Sequence, residues 1–257
     1  MQQKDNAIGV QLWSVKNNLS SDFDGTLEAI AGKGFDYAEA AGYDPGGRTV
    51  LGVSPATLKQ KTGAVGLDLV SLHAAVTADT IDVLLEDSAS LGVKYIICAM
   101  YPDEERTIET YKEIAETYNK LGLIAQRAGV QLGYHNHNFE FAAINNVLPF
   151  DLLLENTDPA LVVFELDLGW VVQAGHDPAA FIQKYPNRFP LWHLRDVDVN
   201  GESVNAGEGV VGFHTLFRKR KQSGLLYNIV ETPSAAPNGV ERVAACYDYF
   251  EKAHLHM

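Results

Sequence analysis

Only two cysteines, Cys98 and Cys246, occur in 257 residues. Cys98 ends an apolar strand-like run and Cys246 falls in a helical pattern. Both read as buried reduced thiols, and no disulfide framework is indicated. No apolar run reaches the roughly 20 residues that span a bilayer. The N-terminal MQQKDNAIGV lacks an apolar signal core, so the chain as given reads as cytoplasmic, or periplasmic if a signal peptide was removed. Positive charge is scarce: 20 Lys and Arg stand against 33 Asp and Glu, a net charge of −13. So acidic a surface repels phosphate backbones and anionic lipid, which argues against nucleic acid and membrane as partners. What is present is ample apolar material. A hydrophobic content of 46% with 21% charged residues supports one large core and argues against disorder.

Strand-like and helix-like segments alternate throughout. The strand candidates are Ala7–Leu12, Tyr37–Ala40, Leu67–Leu72, Tyr95–Ala99, Val130–His135, Leu161–Leu166, Pro190–Leu194 and Tyr227–Glu231. Amphipathic runs lie between them: Phe23–Lys33, a helix opened by Ser54 and Pro55, Asp79–Leu91, Glu105–Ala128, Pro149–Glu155, Pro178–Lys184, His214–Ser223 and Gly239–Ala253. Serine followed by proline is an N-cap with proline at the first helical position. Eight alternating units in about 250 residues predict a parallel sheet closed into a (β/α)8 TIM barrel, with residues 1–257 forming one domain. An open nucleotide-binding sheet needs a glycine-rich turn after its first strand, but Gln11-Leu12-Trp13-Ser14 holds no glycine there.

Four apolar runs end in carboxylates and imidazoles. VQLGYHNHNFEF releases His135, His137 and Glu140; LVVFELDLGW releases Asp167; FPLWHLRDVD releases His193; LLYNIVETP releases Glu231. The ends of barrel strands five to eight are ring neighbours at the C-terminal face, where barrel active sites sit. Oxygen and imidazole donors together point to one shared divalent ion, Mn²⁺, Co²⁺, Mg²⁺ or Zn²⁺.

In this order and spacing, GYHNHNFEF, ELDLGW, WHLRDVD with the later GEGVVGF, and VETP resemble the xylose-isomerase-like barrel superfamily over essentially the whole chain. That superfamily includes sugar phosphate isomerases and epimerases, hydroxypyruvate isomerase, inosose dehydratase and endonuclease IV. The resemblance implies one divalent metal held by Glu, Asp, His and Glu on strands five to eight. Asp167, His193 and Glu231 match the last three. Strand five departs: relatives often read Glu-Asn-His where this chain has His135-Asn136-His137. Either Glu140 folds back to replace the missing carboxylate, or His135 itself is the ligand. A second departure is Trp170, where relatives carrying Asp-x-Gly-His have histidine.

The resemblance implies an isomerase or epimerase acting on a sugar, keto-sugar or cyclitol through an enediolate. Glu140, Glu231, His135 and His137 would serve acid/base roles; Glu140, Asp167, His193 and Glu231 would hold the metal. Trp13, Glu39, His73 and Arg195 lie at or just past strand ends and are expected at the substrate. A lyase or dehydratase using the same enediolate is the runner-up, and a non-catalytic sugar-binding barrel is the alternative from another class. A DNA repair endonuclease fits poorly with −13. The loop Ala206–Gly209 falls where barrels bind phosphate, but Glu208 would repel one, favouring an unphosphorylated sugar. The run Arg218–Lys221 reads as a solvated helix face, and His176, His214, His254 and His256 as structural or exposed. Whether the chain forms a homo-oligomer is left open.

Overall fold

Short apolar segments become strands here because both of their faces are covered. In a computed structural model describing residues 7–99, 106–233 and 238–253, eight parallel strands close into a barrel. They are β1 (Gly9–Gln11), β2 (Tyr37–Ala40), β3 (Asp68–His73), β4 (Tyr95–Cys98), β5 (Gln131–His135), β6 (Val162–Asp167), β7 (Leu191–Leu194) and β8 (Tyr227–Val230). Each pairs with its sequence neighbours, and β8 closes onto β1 with Gly9 opposite Ile229. The expected TIM barrel is therefore observed. Glu105, His254 and His256 lie outside the described residues.

The surrounding helices are α1 (Phe23–Lys33), α2 (Pro55–Ala64), α3 (Ile81–Leu91), α4 (Ile108–Arg127), α5 (Pro149–Asn156), α6 (Pro178–Lys184), α7 (Phe213–Phe217) and α8 (Gly239–Lys252). Ser54 caps α2 as expected, its hydroxyl accepting from the Thr57 N–H at 3.2 Å. The expected helix over His214–Ser223 is instead two pieces, α7 and a turn over Arg220–Ser223. The Lys219 N–H bonds back only three residues, to the Leu216 carbonyl, which tightens the chain out of α-helical register. A further helix, not expected from the sequence, spans Leu168–Gln173 and begins directly at the end of β6.

Alternation along each strand sorts the side chains. Outward residues such as Leu132, Phe164 and Trp192 pack under the helices in the larger core. Inward residues form a second core of Tyr37, Val70, Ile97, Leu191, Tyr227 and Ile229. The Tyr37 and Tyr227 rings meet edge to face at 5.2 Å between centroids. Gly9 makes room for this plug, since a Cβ there would lie 2.1 Å from the Tyr37 ring. Towards the C-terminal ends of the same strands the inward residues turn polar: Gln11, Glu39, Ser71, His73, His135, Glu165, Asp167 and His193.

Candidate active site and metal centre

Two overlapping donor groups form at this polar end. His135, Asp167, His193 and Glu231 offer one ligand atom each, all within 4.8 Å of one another; His73, His135, Glu165 and His193 do the same. Asp167, His193 and Glu231 are thus brought together from β6, β7 and the residue after β8. All three are buried. Imidazole and carboxylate donors at such spacing can hold a divalent ion. Glu165, fully buried, keeps one carboxylate oxygen, Oε1, with no hydrogen-bond partner, an acceptor well suited to a cation.

Arg195 organises the outer pair. Its Nε donates to Asp167 Oδ2 at 3.0 Å and its Nη2 to Glu231 Oε2 at 2.6 Å. Burial opposes ionisation of Glu231, but Arg195 and His193 outweigh it and hold its carboxyl well below the usual range. Arg195 reaches both partners by lying over Gly169, where a Cβ would stand 2.6 Å from its Cγ. The Trp170 ring covers the guanidinium at 4.8 Å. Asp167 has a second role. Its Oδ1 accepts from the Trp170 N–H at 2.8 Å, capping the helix that carries Gly169 and Trp170. Asn136 fixes its backbone, accepting from the Asp167 N–H at 3.0 Å and donating to the Asp167 carbonyl at 3.3 Å.

The inner pair is Glu39 and Glu165. Glu39 was expected at the substrate, but it is fully buried. It accepts from Gln11 Nε2 at 2.7 Å and from the Ser71 hydroxyl, and its Oε1 lies 2.7 Å from His193 Nε2. His73 Nε2 stands 2.9 Å from Glu39 and 2.7 Å from Glu165. Burial disfavours a charge on His73, but Glu39 and Glu165 outweigh it and push its pKa up to about 10. Glu165 is not singled out by the sequence because it sits inside an apolar run. Its signal was spacing: two residues before Asp167 on one strand, it faces the same way.

Glu140 stands apart from both groups, contrary to its expectation as the strand-five ligand. It is fully buried behind the HNH segment, accepting from the Tyr134 hydroxyl and, at 2.8 Å, from the His137 N–H. The physical reason is alternation: Tyr134 faces the helix layer, and Glu140 folds back to that side of the strand. His135 occupies the inward position instead, its Nδ1 3.0 Å from Glu165 Oε2. The His137 ring lies beside His135, with centroids 5.0 Å apart, and near Trp170 at 5.8 Å. Burial and the neighbouring His135 depress its pKa to about 3, so it is neutral at physiological pH. Trp13 follows β1 on the same face, 38% exposed, with Lys16 Nζ 3.6 Å from its ring centre. The glycine loop after β7 wraps an internal carboxylate. The N–H groups of Gly207, Gly209 and Val211 all donate to Asp196, at 2.8, 3.1 and 3.1 Å.

Known proteins resemble this chain in sequence or in fold to differing extents. Inosose dehydratase from Clostridium beijerinckii is 35% identical over 128 residues, 43% of this chain and 42% of that protein. The Clostridium tetani inosose dehydratase is 36% identical over 91 residues, 35% of this chain and 30% of that protein. The matches therefore span less than half the length of these curated relatives. A sugar phosphate isomerase/epimerase from Parabacteroides distasonis superposes with a TM-score of 0.87 at 26% identity, covering 100% of this chain and 97% of that one. The IolI protein, solved with a zinc atom, superposes with a TM-score of 0.74 over 97% of each chain; at 16% identity it shows the shared fold alone. Residues 27–249 match the family described as the xylose isomerase-like TIM barrel, and the chain belongs to that family.

Proposed function

We propose that this chain is a divalent-metal-dependent enzyme that moves a proton on the carbon beside a carbonyl of a sugar, keto-sugar or cyclitol, as an isomerase or epimerase. The observation that carries this reading is the convergence of His135, Asp167, His193 and Glu231 at the barrel mouth. A divalent ion held by these donors would supply Lewis-acid polarisation of the substrate carbonyl. The chain's own groups do the rest. Glu231, kept ionised by Arg195 and His193, is the base. Arg195 fixes its direction through the 2.6 Å hydrogen bond. His137, neutral and beside His135, is placed to hydrogen-bond a substrate hydroxyl or carbonyl. Trp170 keeps water from the guanidinium, and Trp13 offers a flat apolar surface for a sugar face.

Asp196 already fills the N–H groups that could bind a phosphate, which supports an unphosphorylated substrate. The second reading is a dehydratase acting through the same enediolate. It is favoured by the imidazole of His135 at the strand-five position. Epimerisation by two glutamates needs a carboxylate there, whereas elimination needs one base and one acid. The similarity to inosose dehydratases points the same way. Incubation with a panel of keto-sugars and inososes in D₂O, with product analysis, separates the two. Deuterium retained in an isomeric product supports the isomerase, and loss of water supports the dehydratase. No exchange with any of them in the presence of Mn²⁺, Co²⁺, Mg²⁺ or Zn²⁺ rejects both.

A further inference from the structure

Below the mouth, four donor atoms face one another in the middle of the barrel. His193 Nε2 lies 2.7 Å from Glu39 Oε1 and 3.2 Å from Glu165 Oε2; His73 Nε2 lies 2.9 Å from the first and 2.7 Å from the second. The two nitrogens and two oxygens alternate around a ring. In a tetrahedral zinc site with bonds near 2.1 Å, neighbouring donors stand about 3.4 Å apart. Three of the four contacts are shorter than this by about half an ångström or more, so the donors must spread to admit an ion.

Charge separates this inner group from the mouth. Asp167 and Glu231 share the Arg195 guanidinium. Among the described residues, the ion pairs of Glu39 and Glu165 are with histidines only. Both carboxylates are fully buried, and their charge is met only by the imidazoles around them, with no Arg or Lys among their described ion pairs. Glu165 Oε1 is in addition a buried acceptor with no hydrogen bond.

We propose that the barrel holds a second, deeper divalent-cation site formed by His73 Nε2, His193 Nε2, Glu39 and Glu165, suited to zinc or a cation of similar preference. The surroundings fit ligation. Glu39 is oriented by Gln11 and Ser71. His193 points its other nitrogen, Nδ1, at Glu231 Oε2 across 3.0 Å, the carboxylate–histidine pairing that fixes the tautomer of a ligating imidazole. With Nδ1 protonated towards Glu231, Nε2 is free for the deeper ion. With both ions bound, His193 passes from the mouth group to the deeper one, and the mouth keeps His135, Asp167 and Glu231 and an open position. Four protein donors closed around one ion and three around another match the difference between structural and catalytic zinc sites. The deeper site does not depend on the isomerase or dehydratase reading.

The test is metal stoichiometry on the full chain, stripped with chelator, equilibrated with Zn²⁺, passed through gel filtration and measured by elemental mass spectrometry. The wild type is expected to retain two equivalents. Glu165→Gln and His73→Ala should each retain one, and Asp167→Asn should lose only the mouth ion. Circular dichroism establishes that each variant is folded; if Glu165→Gln is not, His73→Ala and the wild-type count still decide. Retention of one equivalent or none by the wild type, with Glu165→Gln and His73→Ala unchanged from it, overturns the deeper site. One equivalent that disappears in those two variants but survives in Asp167→Asn upholds it and removes the mouth ion instead.

Discussion

Glu140 accepts a hydrogen bond from the backbone N–H of His137 at 2.8 Å, and so ties the loop after β5 to the layer behind it. Burial is the main influence on this carboxyl and pushes its pKa up to about 7, against the hydrogen bonds from Tyr134 and His137. A raised carboxyl pKa means that folding favours the protonated form. The associated stability is fully present below the unfolded value of 4.5 and is lost as pH rises through 7. Wild type compared with Glu140→Gln should therefore lose about 3 kcal/mol between pH 4.5 and 8. Urea unfolding of both proteins across that range measures it. A stability difference that stays flat with pH rejects the assignment.

The same geometry separates Glu140 from metal binding. Glu140→Gln should keep its full metal content, because its carboxylate belongs to neither donor group. If the proposed mouth site binds an ion, His135→Ala should lose it, because His135 is one of the donors that converge there. Metal content of the two purified variants checks this, and the opposite order would restore Glu140 as the strand-five ligand.

Arg195 is the fixed positive charge shared by Asp167 and Glu231. Arg195→Met should destabilise the metal-free protein by about 3–5 kcal/mol, the range for breaking a buried ion pair on one side. Millimolar Mn²⁺ or Zn²⁺ should raise the melting temperature of both proteins, since an ion that binds only the native state stabilises it. The gain should be larger in the variant, where the ion also replaces lost charge. Equal melting temperatures with and without metal in the wild type would count against any metal site.

Gly169→Ala places a methyl 2.6 Å from Arg195 Cγ and 2.8 Å from Cδ. Overpacking of this kind costs about 1–3 kcal/mol. Turnover should fall sharply, since Arg195 must leave the line joining Asp167 and Glu231. Gly32→Ala, in α1 with nothing within 4 Å of the added carbon, is the control and should leave turnover at the wild-type level. Loss of activity in both variants to the same degree would detach the effect from Arg195.

The barrel was legible because its units repeat. Apolar runs of strand length, glycines after helices and alternating elements each announce one layer, and each layer buries its apolar face against the next. Gly34 and Gly92 end α1 and α3 in the left-handed conformation, which glycine adopts without strain. Boundaries shifted by a residue or two, as at Val162–Asp167 against the expected Leu161–Leu166. The split of His214–Ser223 was not legible. It depends on backbone hydrogen bonds over three rather than four residues, which propensity does not encode.

Asp167, His193 and Glu231 could be paired from sequence alone because each ends an apolar run, and a parallel barrel brings consecutive strand ends to one face. Glu165 and Glu39 could not, because a single carboxylate within a buried strand reads as an exception until its facing partners are known. Nor could the sequence decide between His135 and Glu140. Five residues of loop can turn a side chain to either face of the sheet, and here the Tyr134 hydroxyl and the His137 N–H draw Glu140 to the outer one. Periodicity is local and survives in one dimension. The choice of which buried charges meet is made across strands far apart in sequence, such as Glu39 with His193, and only closure of the barrel brings them within hydrogen-bonding distance.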